Sequence, residues 1–208
     1  QVVCNNTATN AVNFSTTNTN GTTSYAWSIN TNIGLSPLTG TGDLPSFTAI
    51  NTGTTPITAT ITVTPTYNGT SICNGTSKTF TITVNPSGQV NQPTNQVVCN
   101  NTATSTVNFS TTNTVGTTSY AWSFDTNIGL IPLTGSGNIP SFTAINTGTT
   151  PIVATITVIP TFTNGATNCI ATPKTFTITV NPSAQVNPIP NQTLCSNNST
   201  TAINFTTN

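Results

Sequence analysis

The chain has 208 residues and almost no charge: two lysine or arginine residues, two aspartate or glutamate residues and no histidine, for a formal net charge of zero. So few titratable groups exclude most general acid–base catalysis, and two cations cannot neutralise the phosphates of a nucleic acid. No apolar run approaches the roughly 20 residues of a membrane-spanning helix. We therefore expect no catalytic residue, cofactor, nucleic-acid partner or membrane insertion.

Most of the sequence is a repeat with a period of about 95 residues. The string QVVCNNTAT at Gln1 recurs at Gln96, and no methionine is present. The period matches one β-sandwich domain of about 100 residues. We predict two complete repeats, 1–86 and 87–182, and the start of a truncated third at 183–208. We interpret the chain as an internal piece of a longer, processed protein.

Proline-containing linkers separate the repeats at Asn85–Gln96 and Asn181–Gln192. Proline favours extended, semi-stiff backbone, so we expect domains strung as a rod, each with neighbouring repeats of the same long chain as partners. The last copy is too short to bury a core. Donation of its strand to the sheet of a neighbouring chain is an alternative to simple truncation.

Apolar and polar residues alternate with period two, which is typical of half-buried antiparallel strands. The clearest run starts at Ile57, with threonine at every second position, and Pro65 is expected to end it because proline cannot donate to a strand ladder. Trp27 and Trp122 are the expected core centres. With no helix signal, the predicted class is all-β: tandem immunoglobulin-like β-sandwich repeats.

The five cysteines follow the repeat. Cys4 and Cys73 lie in the first copy, Cys99 and Cys169 in the second, and Cys195 opens the third. We predict the disulfides Cys4–Cys73 and Cys99–Cys169, which indicate an oxidising compartment. A Cys73–Cys99 bond across the linker is the alternative.

The strings VVCNNTAT, SYAWS, NIGL, TGTGDLPSFTAINTGTTPITATITVTP and KTFTITVNP closely resemble PKD-like repeats of very large secreted surface proteins of the Bacteroidetes, including gliding-motility adhesins. This resemblance implies an immunoglobulin-like sandwich, export by the type IX secretion system and an extracellular, cell-surface location. It also implies a role in adhesion, or in a filament with identical chains as partners. The family brings no catalytic residues.

The charged side chains offer little chemistry. Calcium prefers several carboxylate ligands, whereas Asp43 and Asp125 occupy non-equivalent positions, so we expect no metal site. An isopeptide bond from Lys78 or Lys174 needs a buried acid nearby, and no acid is shared between the copies.

Two hypotheses about function remain. The first is a structural and adhesive module of a cell-surface adhesin or filament. The second is a carbohydrate-binding or ice-binding module, in which Tyr25 and Tyr120 stack on sugars of a surface polysaccharide or the threonine rows form a flat binding face.

Overall fold

The computed structural model describes residues 1–207, and these form twelve β-strands with no helix among them. The strands of the first repeat are β1 (Val2–Cys4), β2 (Thr22–Ile29), β3 (Thr39–Thr41), β4 (Ile57–Asn68), β5 (Ile72–Asn74) and β6 (Lys78–Asn85). Those that follow are β7 (Gln96–Cys99), β8 (Thr117–Phe124), β9 (Thr134–Ser136), β10 (Ile152–Asn164), β11 (Thr167–Ile170) and β12 (Lys174–Asn181). In the described part of the chain, no helix has the length and apolar character needed to span a membrane.

Each complete repeat contributes one sheet with the same topology. The order is β1-β6-β4-β2-β3 in the first sheet and β7-β12-β10-β8-β9 in the second, with β5 and β11 on the long strands β4 and β10. The edge strand β1 runs parallel to β6, whereas β4 is antiparallel to β2, β5 and β6. The prediction of an all-β chain of tandem sandwich repeats is confirmed.

A second layer of extended chain packs on the sheet of the first repeat. Isolated antiparallel bridges join Ala8 to Thr48 and Val12 to Leu44. Leu44 is fully buried in the same apolar cluster as Trp27 of the sheet. The core therefore lies between the sheet and these bridged segments.

Both tryptophans lie in the core, as predicted. Trp27 is 7% exposed and Trp122 is 8% exposed. Trp27 is paired across the sheet with Gly40. A β-carbon at Gly40, or at Gly135 in the second repeat, would collide with the indole ring, so both positions need glycine.

Pro65 does not end its strand, and that expectation was wrong. It lies inside β4, opposite Tyr25 of β2. On the other side of β4, the pairing with β6 ends at Val63 and the pairing with β5 starts at Thr66. The missing N–H of Pro65 therefore falls in the gap between two partner strands, where the ladder does not need a donor.

The chain forms two compact units that do not follow the repeat boundaries. The first unit combines Gln1–Gln92 with Phe109–Ala121 and Val158–Lys174. The second combines Pro93–Asn108 and Trp122–Thr157 with the segment from Thr175 onward. Parts of β8 and β10, and all of β11, therefore pack in one unit with the whole first repeat.

Candidate functional site: a disulfide-linked junction

A disulfide bond joins the two complete repeats inside the first unit. Cys4 of β1 is bonded to Cys169 of β11, 165 residues later, with 5.4 Å between their Cα atoms. Cys73, Cys99 and Cys195 are free and exposed. The predicted pairings Cys4–Cys73 and Cys99–Cys169 were wrong, and the alternative Cys73–Cys99 bond is not formed either.

Strand register explains why a bond within one repeat does not form. Cys4 is level with Asn85 at the end of β6, and the adjacent residue of β6 faces Ile57 at the start of β4. Cys73 faces Tyr67 near the other end of β4. Ten residues of strand separate these positions, which is about 33 Å, whereas a disulfide needs Cα atoms about 4.4–6.8 Å apart.

The linker after β6 is buried where it passes the disulfide. Pro86, Gly88 and Val90 are all buried, and Val90 is only 2% exposed. The positions equivalent to Gly88 and Val90 in the second linker are open, because Ala184 is exposed and Val186 is 59% exposed. Near-identical linker sequences therefore have opposite environments, and the first linker owes its burial to the strand segments of the second repeat in its unit.

Asn113 is the main polar anchor of the buried linker. Its Oδ1 accepts the backbone N–H of Gln89 at 2.9 Å, and its Nδ2 donates to the carbonyls of Ser87 and Thr54 at 3.4 and 3.3 Å. Thr118 Oγ1 donates to the same Oδ1 at 3.3 Å. One amide side chain thus satisfies backbone groups of the linker and of a loop before β4.

Three further contacts seat the linker against the end of β10, β11 and the first residue of β12. Lys174 Nζ donates to the carbonyl of Val90 at 2.8 Å, and the N–H of Gly88 donates to the carbonyl of Cys169 at 3.3 Å. A β-carbon on Gly88 would lie 2.7 Å from the carbonyl oxygen of Pro160 and 2.9 Å from the nitrogen of Phe162. The linker therefore lies directly on the backbone of β10, and only glycine fits there without a shift.

Farther along each linker, an asparagine makes a pair of hydrogen bonds to one residue of the next copy. Asn91 donates its N–H to the carbonyl of Ser110 and its Nδ2 to Ser110 Oγ, both at 2.8 Å. In the second linker, Asn187 binds Thr206 in the same way, at 2.9 and 3.0 Å. This contact recurs with the repeat period and is a regular part of how a linker meets the next copy.

We use "the junction" for the Cys4–Cys169 bond, the linker Ser87–Asn91, Asn113 and Lys174. A cavity of about 600 Å³ opens beside it. Lys174 is the only charged residue in its lining. Among residues 1–207, no three His, Cys, Asp or Glu side chains are grouped closely enough to hold a metal ion.

Tyr25 and Tyr120 each pack against a phenylalanine. Ring centroids are 5.5 Å apart for Tyr25 and Phe14, and 5.3 Å apart for Tyr120 and Phe109. Both tyrosines are half-buried. Burial raises the pKa of the Tyr120 phenol above 10.0, and a hydrogen bond with Thr111 opposes that rise. Tyr25 also lines an open groove of about 490 Å³.

Both aspartates accept backbone hydrogen bonds. Asp43 Oδ1 accepts the N–H of Phe14, and Asp125 Oδ1 accepts the N–H of Thr155, each at 2.8 Å. Asn30 takes the place of Asp125 in the first repeat and accepts the N–H at the position equivalent to Thr155. The hydrogen bond from Thr155 is the main cause that lowers the pKa of Asp125 below 3.8.

Sequence reasoning missed the junction, although a signal for it was present. Cysteines at matching offsets in each repeat are equally compatible with bonds inside a repeat and bonds from one repeat to the next. Each polar, proline-containing linker has one apolar valine at the same position, Val90 or Val186, and this marked a position that a linker can bury, although only Val90 is buried.

Comparison with known proteins adds little to this geometry. No protein-family model and no curated protein matches the chain. The matching solved structures include the extracellular domains 3–5 of Drosophila OTK, at 12% identity and a TM-score of 0.24, covering 88% of this chain and 61% of that one. They also include the cadherin-like domains 1 to 4 of zebrafish RET, at 14% identity and a TM-score of 0.28, covering 78% of this chain and 41% of that one. The chain therefore spans less than two thirds of either protein.

Proposed function

We propose that this chain is a non-enzymatic structural module of an extracellular cell-surface adhesin or filament, in which a disulfide bond staples the two complete repeats to each other. The observation that carries the proposal is the Cys4–Cys169 disulfide, which joins the first strand of one repeat to β11 of the following repeat. Disulfides form and persist in oxidising compartments, which supports a secreted, surface-exposed location. The predicted repeats 1–86, 87–182 and 183–208 are the units of this proposal.

A bond of this kind makes a spacer resistant to extension. The two bonded cysteines are 165 residues apart in sequence. Tension applied to the ends of the chain cannot extend the residues between them while the bond is intact. At about 3.3–3.6 Å per extended residue, this removes roughly 550 Å of extensible chain.

Single-molecule stretching of the chain from its two ends tests the proposal. We expect the contour length released on full unfolding to increase by roughly 550 Å when the chain is reduced or carries Cys4→Ser and Cys169→Ser. A Cys73→Ser variant serves as the control and should behave like the oxidised parent. Equal lengths before and after reduction would contradict the proposal.

A binding face for polysaccharide or ice is the second candidate. Threonines of β4 and β6 face each other across the sheet, and Thr58 Oγ1 lies 2.9 Å from Thr83 Oγ1. The cross-strand pairs are Thr58 with Thr83, Thr60 with Thr81 and Thr62 with Thr79. This regular row of hydroxyl and methyl groups supports the candidate.

Glycan-array binding and ice-recrystallisation assays on the full chain test the second candidate. Binding that is lost in a Thr60→Lys, Thr81→Lys variant would support the threonine face. Binding that is lost instead in Tyr25→Ala or Tyr120→Ala would assign it to the tyrosines. No binding in either assay would reject this candidate and leave the structural role.

A further inference from the structure

The first repeat carries an open groove at the positions that hold the linker in the second repeat. One part of the groove, about 490 Å³, is lined by Phe14, Tyr25 and Lys78 among others. A neighbouring part of about 410 Å³ is lined by Tyr67 and Cys73. Both parts share Thr16 and Pro65 as lining residues. We call the two parts together the receiving groove.

The counterparts of these residues in the second repeat bind the linker. Lys174, which corresponds to Lys78, donates to the carbonyl of Val90. Cys169, which corresponds to Cys73, is bonded to Cys4 and accepts the N–H of Gly88. The receiving groove therefore has the same donor, the same thiol position and the same backbone as a site with a known occupant.

The polar side of the receiving groove has the same local conformation as its counterpart in the second repeat. The N–H of Asn18 donates to Thr16 Oγ1 at 3.0 Å, as the N–H of Asn113 does to Thr111 Oγ1. The local turn that presents the asparagine is thus the same with and without a linker beside it.

Two buried polar atoms in the first repeat, Thr23 Oγ1 and Tyr25 Oη, lack partners in the described part of the chain of the kind that their counterparts Thr118 and Tyr120 have. Thr23 Oγ1 is buried with no hydrogen-bond partner among residues 1–207. Its counterpart Thr118 donates to Asn113 Oδ1, which is held by the N–H of Gln89 from the linker. A segment that donates an N–H to Asn18 in the same way would position its amide to accept from Thr23.

We infer that the receiving groove binds a further copy of this repeat. The occupant presents a segment equivalent to Ser87–Asn91, and its valine fills the apolar part of the groove as Val90 does at the junction. Its first cysteine, equivalent to Cys4, lies beside Cys73 and forms a disulfide with it. By the same logic, Cys99 is the attachment point for the second cysteine of a copy that follows.

The bond-forming step is an ordinary thiol–disulfide exchange. The two thiols lose two electrons and two protons, and a small-molecule disulfide such as oxidised glutathione accepts them and becomes two thiols. The inference rests on the equivalence of two grooves in the chain and goes beyond the proposed stapling of the two repeats present.

An extended chain tests the inference. A second copy of residues 1–95 is placed ahead of the full chain, so that Asn95 of the added copy precedes Gln1. Val2→Ile in the added copy distinguishes its Cys4 peptide by mass, and Cys73 of the added copy, Cys99 and Cys195 are replaced by serine. The protein is oxidised with glutathione disulfide and mapped without reduction.

We expect two cross-linked peptide pairs: the tagged Cys4 with Cys73, and the untagged Cys4 with Cys169. A free tagged Cys4 beside an intact Cys4–Cys169 pair would overturn the inference and leave the proposed function standing. Absence of both pairs would overturn both.

The groove itself is tested separately from the thiols. Backbone amides of Asn13–Thr16 should exchange more slowly in the extended chain than in the parent. Val90→Asp in the added copy should abolish that protection and slow formation of the Cys4–Cys73 pair at least about tenfold, because the groove would bury a charge. An unchanged rate of disulfide formation and unchanged amide exchange would overturn the groove as the docking site.

Slowing of amide exchange by an added oligosaccharide, and not by the added copy, would assign the groove to sugar binding and also overturn the inference.

Discussion

Val90 and Val186 are equivalent residues of the two linkers in opposite environments, so they form a matched pair for mutation. Val90 is 2% exposed and Val186 is 59% exposed. We expect Val90→Ala to lower the free energy of unfolding by about 1–3 kcal/mol, because buried methyl groups are lost and a cavity remains. Val186→Ala should change it by less than about 0.5 kcal/mol. Urea denaturation measures both changes in the free energy of unfolding. Equal losses in the two variants would contradict the finding that Val90 is buried and Val186 is not.

Asp125 is expected to give the chain a small dependence of stability on pH. The hydrogen bond from the N–H of Thr155 lowers the pKa of this carboxyl in the folded state. A carboxyl whose pKa is lowered by folding stabilises the folded state at pH values above its unfolded pKa, which is near 3.8. This stabilisation is lost as the pH falls through the pKa of the folded state. Because the carboxyl is almost fully exposed, solvent screening keeps the effect small.

Comparison with Asp125→Asn isolates this effect. The asparagine can still accept the N–H of Thr155, as Asn30 accepts the N–H of Thr60 in the first repeat. Denaturation midpoints are measured from pH 7 to pH 2. We expect the stability difference between parent and variant to shrink below about pH 4. A difference that stays constant with pH would show that the carboxylate charge does not contribute.

For the strands, the alternation of apolar and polar residues predicts some features and leaves others out. The run from Ile57 predicted the core of β4, because each buried residue of that strand alternates with a threonine. The end of the strand was missed, since Pro65 is tolerated only because it lies between the end of β5 and the start of β6 on the neighbouring side of β4. Such a gap depends on three strands together, and no property of the segment around Pro65 encodes it.

The cysteine pairing failed for a related reason. Spacing assigns two cysteines to each repeat, but their separation depends on the parallel placement of β1 beside β6. That placement puts Cys4 and Cys73 at opposite ends of β4. Period-two patterns predict that a strand exists and which face it buries, and they contain no information about its neighbour or direction.

Asn113 connects the first linker to β8, and we expect its loss to loosen the linker. Asn113→Ala removes the acceptor for the N–H of Gln89 and the donor to Thr54, which should cost about 1–3 kcal/mol. Hydrogen exchange of the Gln89 amide should accelerate in the variant. Asn18→Ala, the same change in the first repeat, is the control and should leave that amide protected. Equal exchange rates in the two variants would contradict the anchoring role.

At the scale of the whole molecule, low charge and covalent stapling complement each other. A formal net charge of zero gives the repeats no long-range repulsion or steering. Their association therefore depends on short-range fit and on the disulfide. The hydrogen bonds of Asn91 with Ser110 and of Asn187 with Thr206 supply a polar part of this fit in both linkers.

The Cys4–Cys169 bond should account for a large part of the stability of the chain. Closing a loop of 165 residues in the unfolded state corresponds to roughly 5 kcal/mol in the chain-entropy description. We expect the double variant Cys4→Ser, Cys169→Ser to lower the denaturation midpoint strongly, and to expose the first linker to protease at Ser87–Asn91. The double variant Cys73→Ser, Cys99→Ser removes two exposed thiols and should leave both properties unchanged. If the two double variants unfolded and were cleaved alike, the junction would not hold the repeats together, because the bond and the thiols would then be equally dispensable.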